Sequence, residues 1–361
     1  MDKSFHYYCI RVLAEKAGFS AHDAQTIAYA SQYTDDATEY GKMKILNIPA
    51  SFQYPRFDKH KNSFDPICTA HSAKNWMAKV WKWAKFYLKP DVQRKVLMSF
   101  HFLPPLEKTD QDNDHFDFVT QKNSPLANML IDLAMTCFSG STLKTKEYAL
   151  IKLGIALHTY ADTWSHAGFS GRHNSKENDI KKVKIRQKNS YKLVNPLELI
   201  ISYAAPDVGH SEANVIPDQT KIEWKAGYAN KKGSIIRSNT SEFLESAKQI
   251  YSILTKAAKK AGVKQPGMEW RSLSPKIKKC LQTDDNWGNI FGDIFSYSRF
   301  DWRGKALTGD IHWDNFDDES DFHKLNLKYT GKDMKWFLFH KAAFEQRRFV
   351  AQRIPETWTN G

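Results

Sequence analysis

The segment Ala156-Leu157-His158-Thr159-Tyr160-Ala161-Asp162-Thr163-Trp164-Ser165-His166 constrains this chain more than any other. His158, Asp162 and His166 are spaced i, i+4, i+8. On an α-helix these positions span only about 80° of the circumference, so they share one face. That face continues the apolar stripe of Ile151 and Ile155. The helix therefore aims two imidazoles and a carboxylate into a core, where polar groups without partners are costly. Either a metal centre or a hydrogen-bonded His/Asp network must satisfy them. The rise from His158 to His166 is about 12 Å, awkward for a single ion. Asp162 lies between them with two oxygens, so the spacing suggests two metals, with Asp162 bridging or serving one. Imidazole and carboxylate donors suit zinc.

A core large enough to hold such a face is available. The chain has 361 residues, 41% apolar and 26% charged, which excludes wholesale disorder. Lys and Arg outnumber Asp and Glu by 53 to 40, a net charge of +13 that attracts phosphates in nucleic acid, anionic lipid or small molecules. Cys9, Cys68, Cys137 and Cys280 form no Cys-x-x-Cys pair, so reduced thiols are expected rather than a disulfide framework. No apolar run is long enough for a transmembrane helix. Arg11, Glu15 and Lys16 interrupt the window a signal peptide needs. The expectation is a cytoplasmic protein as synthesised, with signal-independent export left open.

Helical periodicity dominates the rest. Residues 7–17, 21–33, 72–88, 125–137, 145–166, 240–261 and 333–353 read as helices, the second capped by Ser20 with Asp23 in its first turn. The stretch 104–117 reads as a loop, and 171–195 as a mobile, basic loop insertion. No series of alternating strands is evident. The expected fold is mainly α, a single multi-helix domain over 1–361 with long loop insertions.

Further donors must come from elsewhere in the chain. His101 sits in Ser99-Phe100-His101-Phe102-Leu103-Pro104. His210 follows the turn Asp207-Val208-Gly209. His6 precedes the first helix, and Asp35 and Asp36 end the second. Adjacent carboxylates at a helix C-terminus oppose its dipole, and a nearby cation relieves them.

Together these residues resemble the zinc-dependent phospholipase C / P1 nuclease superfamily. The segments FHYY, DAQTIAYASQYTDDA, FHFLPP, LHTYADTWSHAGFSG and PDVGH look like a bacterial branch of it without an assigned activity. The resemblance implies a helical fold with two or three zinc ions. It places His158, Asp162 and His101 on one metal, with Asp162 bridging. His166 and His210, with Glu212 or Asp207, would hold a second. His6 with Asp35 or Asp36 would hold a third. The chain departs from the pattern at two points. Secreted members bind metal through the amine and carbonyl of a processed N-terminal Trp, whereas Met1-Asp2-Lys3-Ser4 precedes His6 here. The usual His-x-x-x-Glu is also missing at His210.

Clustered zinc lowers the pKa of water toward neutrality and neutralises a phosphate, so the chemistry implied is phosphodiester hydrolysis. Asp162 and Asp36 are the candidate catalytic carboxylates, Asp36 orienting the attacking water. Arg172 and the basic 176–192 stretch would recruit an anionic substrate, a phospholipid or a nucleic acid; no stable protein partner is expected. The apolar neighbours of His101 favour a phospholipase-C-like enzyme over a P1-type nuclease. The non-catalytic alternative is a basic nucleic-acid- or membrane-binding protein with a structural metal site. No Gly-x-Ser-x-Gly or His-Glu-x-x-His is present. The acidic run at 314–319 lacks the spacing of a calcium loop.

Overall fold

The structure is a computed structural model. It describes residues 1–39, 41–49, 54, 56–70, 88–108, 116–139, 143–194, 208–265, 267–283, 287–292, 296–309 and 326–356. The expected 72–88 helix (described only at Leu88), the acidic run 314–319 and Asp207 lie outside these residues.

Among the described residues 53% are helical and 14% extended, in two sheets, so the fold is mixed α/β rather than mainly α. The expected helices that lie among the described residues fall close to where periodicity placed them, and the structure adds Gln93–His101 and Trp270–Gln282, which the periodicity did not give. The first helix begins as a π-helical turn over Ser4–Cys9 and continues as α1 (Ile10–Lys16). Helix α2 (Ala21–Asp36) starts at Ser20, whose hydroxyl accepts from the Asp23 amide at 3.1 Å. The π-helix Gln93–His101 is α3. Helix α4 (Pro125–Met135) is capped by Ser124 with Pro125 in the first turn. Helices α5 (Leu143–Ser165), α6 (Asn239–Lys260), α7 (Trp270–Gln282) and α8 (Lys335–Ala351) follow. None of the described helices is long and apolar enough to cross a membrane.

Helix α5 lies at the junction of two cores. Leu150, Leu153, Leu157 and Trp164 pack with α1, α4, α6 and α7. Ile151 and Ile155 pack instead with Tyr29 and Tyr33 of α2, with α8 and with the five-stranded sheet. That sheet has the order β2-β3-β1-β9-β8: Phe57–Asp58, Ser63–Phe64, Met43–Leu46, Asn326–Tyr329 and Leu307–Thr308. Among the described strands only β1 and β9 pair in parallel. Helices α2 and α5 touch where Gly154 faces α2. A Cβ there would lie against the Ile27 carbonyl oxygen and 2.7 Å from the Ala30 Cβ.

The second sheet replaces the expected loop insertion. Strands β4 (Ile180–Gln187), β5 (Ser190–Leu193), β6 (Glu223–Tyr228) and β7 (Ser234–Ser238) form an antiparallel sheet in the order β5-β4-β6-β7. The high charge of 171–195 suggested solvation all round. In fact alternation buries Ile180, Val183, Trp224, Ala226 and Ile235 against Leu97, Phe102 and Phe169, leaving the lysines outside. A bulge between Lys181 and Lys184 breaks the simple alternation, which hid the strand from a period-two reading. The sheet also grips the end of α5: the Arg237 guanidinium on β7 donates to the Ser165 carbonyl at 2.8 Å and to the Ala167 carbonyl. The Ser165 carbonyl is a helix-terminal acceptor with no intrahelical partner, and Ala167 lies in the turn that follows.

Candidate metal centre

Five separate stretches converge at the middle and C-terminal end of α5. The N-terminal π-helical turn brings His6, and the last turn of α2 brings Asp35. His101 is the last residue of α3. Helix α5 supplies His158 and Asp162, and His166 follows its last residue while its amide still bonds the Asp162 carbonyl at 2.9 Å. His210 precedes the short turn Ser211–Ala213, and Asp218 ends the turn Ile216–Asp218. Both His6 and His101 lie in π-helical segments, a conformation concentrated at functional sites.

Donor atoms cluster in three sets, each within 4.8 Å: His6, Asp35 and His158; His101, His158 and Asp162; and His166, His210 and Asp218. The middle set has the dimensions of a zinc site. Tetrahedral ligands at zinc bonding distance are separated by about 3.3 Å. The Asp162 Oδ2 lies 3.2 Å from His101 Nδ1 and 3.3 Å from His158 Nε2, and those nitrogens are 3.3 Å apart. Asp35 Oδ1 approaches as a fourth vertex, 3.8 Å from His101 Nδ1 and 3.6 Å from His158 Nε2. The other Asp162 oxygen faces away from this set, 3.0 Å from His6 Nε2 and 2.6 Å from the Met1 amine. That amine is also 3.0 Å from Asp218 Oδ1. Asp162 therefore divides its two oxygens between neighbouring groups of donors.

Backbone carbonyls determine which ring nitrogens point inward. His101 donates from Nε2 to the Thr69 carbonyl at 2.8 Å. His166 donates from Nδ1 to the His101 carbonyl at 2.9 Å, and His210 from Nδ1 to the Asn214 carbonyl at 2.9 Å. The remaining nitrogen of each faces a carboxylate: His101 towards Asp162, His166 and His210 towards Asp218 at 3.2 and 3.3 Å. In a neutral ring that nitrogen is a lone pair opposed to another lone pair. A cation between them turns the repulsion into ligation, and carbonyl-anchored imidazoles are the usual outer support of metal ligands. The residues present therefore fit zinc.

The electrostatics point the same way. Burial lowers His166, and His158 still further; burial together with the Met1 ammonium brings His6 down to about 4. All three are neutral at pH 7, as metal ligation requires. His101 is the exception: burial opposes its charge, but the Asp162 hydrogen bond and the Asp162 and Asp35 charges raise it. Burial alone would raise Asp162, yet the Met1 ammonium, His166, His158 and His6 hold it well below the usual carboxylate range. Burial keeps Asp35 well above that range. The Met1 amine, despite burial, is pushed up to about 11 by Asp162, Asp218 and Asp35.

A cleft of about 400 Å³ opens onto these groups. Asp35, His101, Asp162, His166, His210 and Asp218 form its polar floor, and Ala70, Val96, Leu97, Phe102, Val208 and Val215 its apolar wall. The Phe102 ring stacks on His166 with centroids 4.2 Å apart. Gly209, at φ +61°, lets that ring sit against the backbone, since any Cβ there would collide with it. No Lys or Arg is found among the described lining residues.

Three expected contributors lie elsewhere. Asp36 accepts from the Tyr297 hydroxyl at 2.8 Å and from Gln32 at 3.2 Å, turned away from the donor sets. Arg172 pairs with Glu177 and lies over the Phe118 ring at 4.3 Å, outside the described cleft lining. Glu212 accepts from the Ile180 amide and ties β4 to the 208–218 loop. Two groups escaped the sequence reading: Asp218 and the Met1 amine. Asp218 carries no local signal beyond a Pro-Asp pair eight residues after His210, and the amine carries none in the residue pattern.

Residues 1–354 match the pattern of a family described as a family of unknown function (DUF6765). No curated protein and no solved structure matches the chain.

Proposed function

The chain belongs to the DUF6765 family, and because that family has no known function we propose one from the site itself: a zinc-dependent phosphoric ester hydrolase of the phospholipase-C-like kind, acting on phosphodiesters. One observation carries the reading. His101, His166 and His210 are each fixed by a backbone carbonyl so that their second nitrogen meets a carboxylate across zinc-sized gaps. The resemblance to the phospholipase C / P1 nuclease superfamily supports the same chemistry.

In this reading His101, His158, Asp162 and Asp35 hold one ion, and His166, His210 and Asp218 a second, with Asp162 between the groups. Bound zinc supplies Lewis acidity and brings the pKa of water towards neutrality. The protein supplies the rest. The fixed imidazoles keep the donor set pre-formed, so little reorganisation accompanies reaction. Asp35, at the cleft floor, would take the role expected of Asp36 and orient the attacking water; as the water oxygen bonds phosphorus and the ester P–O bond breaks, it would accept the water's proton and return it to the departing oxygen. The apolar wall excludes competing water and accommodates an acyl or alkyl portion of the substrate. A nuclease would need a stacking slot for a base and a basic track for the strand. Here the one aromatic ring in the described lining already stacks on His166. These features favour a lipid-type phosphodiester.

The test combines elemental analysis with turnover of short-chain phosphatidylcholine and of a dinucleotide. Two or three zinc ions per chain, at least one of them lost in Asp162→Ala, and lipid hydrolysis abolished by chelation are the expected results. A metal-free protein, or a metal content that Asp162→Ala leaves unchanged, would sink the proposal.

A further inference from the structure

The four-stranded sheet has a second face that the cleft does not use. Its inner face packs on Leu97, Phe102 and Val208, which also line the cleft. Its outer face is read from the register. Leu193 pairs with Lys184, Lys184 with Lys225, and Lys225 with Ile236, so these four side chains form one row across all four strands. The row spans about 14 Å from end to end. Its ends are aliphatic and exposed: Leu193 at 53% and Ile236 at 68%, among the most exposed large apolar residues described. Its middle is two lysines. The strands as a whole carry seven basic residues against one acid, Glu223.

We infer that this face docks onto an anionic lipid bilayer. Exposed aliphatic tips beside lysines suit the boundary between headgroups and acyl chains, where the tips enter the apolar layer and the ammonium groups stay with the phosphates. The same charges would attract nucleic acid, but the rest of the face argues for lipid. Aliphatic tips add nothing to phosphate or base recognition. The aromatic ring of the face, Tyr191, is covered by the Lys225 ammonium 4.3 Å from its centroid, and so offers no platform for a base. The adjacent Arg186 is already paired with Glu223 at 2.6 Å. The face lies on the opposite side of the sheet from the cleft, and its test needs neither metal nor turnover, so it stands or falls apart from the hydrolase proposal.

The experiment is co-sedimentation of the full chain with vesicles of equimolar phosphatidylserine and phosphatidylcholine, and with vesicles of phosphatidylcholine alone. Two double variants accompany wild type: Leu193→Ser with Ile236→Ser, and Lys184→Gln with Lys225→Gln. All four positions are at the surface of the sheet, and matching thermal midpoints confirm that the fold survives. Wild type is expected to sediment with the anionic vesicles and not with the neutral ones. Each lysine near the surface is worth about fivefold in partition, so the lysine pair should weaken binding about 25-fold. The serine pair should weaken it as well, an effect that charge attraction alone would not produce. Equal binding to neutral vesicles, no sedimentation at all, or wild-type binding by both variants would overturn the inference. So would displacement from the vesicles by single-stranded DNA at equal phosphate concentration, which would assign the face to nucleic acid.

Discussion

Asp36 and Asp218 show how little residue type says about role. Both are aspartates close to the donor sets, yet Asp36 is held by the Tyr297 hydroxyl and Gln32, while Asp218 faces His166, His210 and the Met1 amine. Asp218→Asn should therefore reduce the zinc content, measured per chain, and abolish phosphodiester turnover. Asp36→Asn should leave the zinc content unchanged and cost about 1 kcal/mol of stability for the weakened hydrogen bonds. The reverse pattern would return Asp36 to the site. A second residue-scale effect concerns His340, which is buried beside Trp336 and bonded to Ile67. Burial brings it from 6.5 to about 4. A histidine with a depressed folded pKa stabilises the fold fully above 6.5, and that contribution drains away as pH falls from 6.5 towards 4. The loss amounts to at most about 3 kcal/mol. His340→Gln should flatten the decline of the unfolding midpoint across that window. An unchanged slope would place the acid sensitivity elsewhere.

At the scale of elements, the contact between α2 and α5 sets the distance between Asp35 and Asp162. Gly154 makes the approach possible, because any side chain there meets the Ile27 backbone. Gly154→Ala should destabilise the chain by about 2 kcal/mol in chemical denaturation. It should also weaken zinc retention, since pushing α2 outward carries Asp35 away from His101 and His158. A variant as stable as wild type, with the same zinc affinity, would show that the helices slide apart without disturbing the donors. The helix boundaries were largely legible in advance: Ser20 caps α2 as its sequence predicts, and α6 and α8 fall within a few residues of the periodic stretches. The four-stranded sheet was not, because its bulge and its lysine-rich face erase the alternation on which a strand assignment depends.

For the molecule as a whole, the centre is also a staple. It joins the N-terminal turn, α2, α3, α5 and the 208–218 loop, segments far apart in the chain. Loading zinc at about a thousandfold excess over its dissociation constant should stabilise the native state by about 4 kcal/mol. The thermal midpoint of wild type should then fall on chelation and recover with zinc, while Asp162→Ala should respond far less. A chelator-insensitive midpoint in a zinc-loaded wild type would mean that the donors are held by the fold alone.

The sequence by itself determined the site helix: the i, i+4, i+8 spacing places His158, Asp162 and His166 on one buried face whatever surrounds it, because helical geometry is local. His6, Asp35, His101 and His210 could be nominated from their neighbours, but only the packing of four segments onto α5 decided that their ring nitrogens and oxygens meet at zinc-sized distances. The same packing turned Asp36 and Arg172 away, brought in Asp218 and made a structured sheet of the expected loop. The placing of Asp36, of Asp218 and of β6 beside β4 depends on contacts between residues tens to hundreds of positions apart, and no local pattern in the chain encodes them.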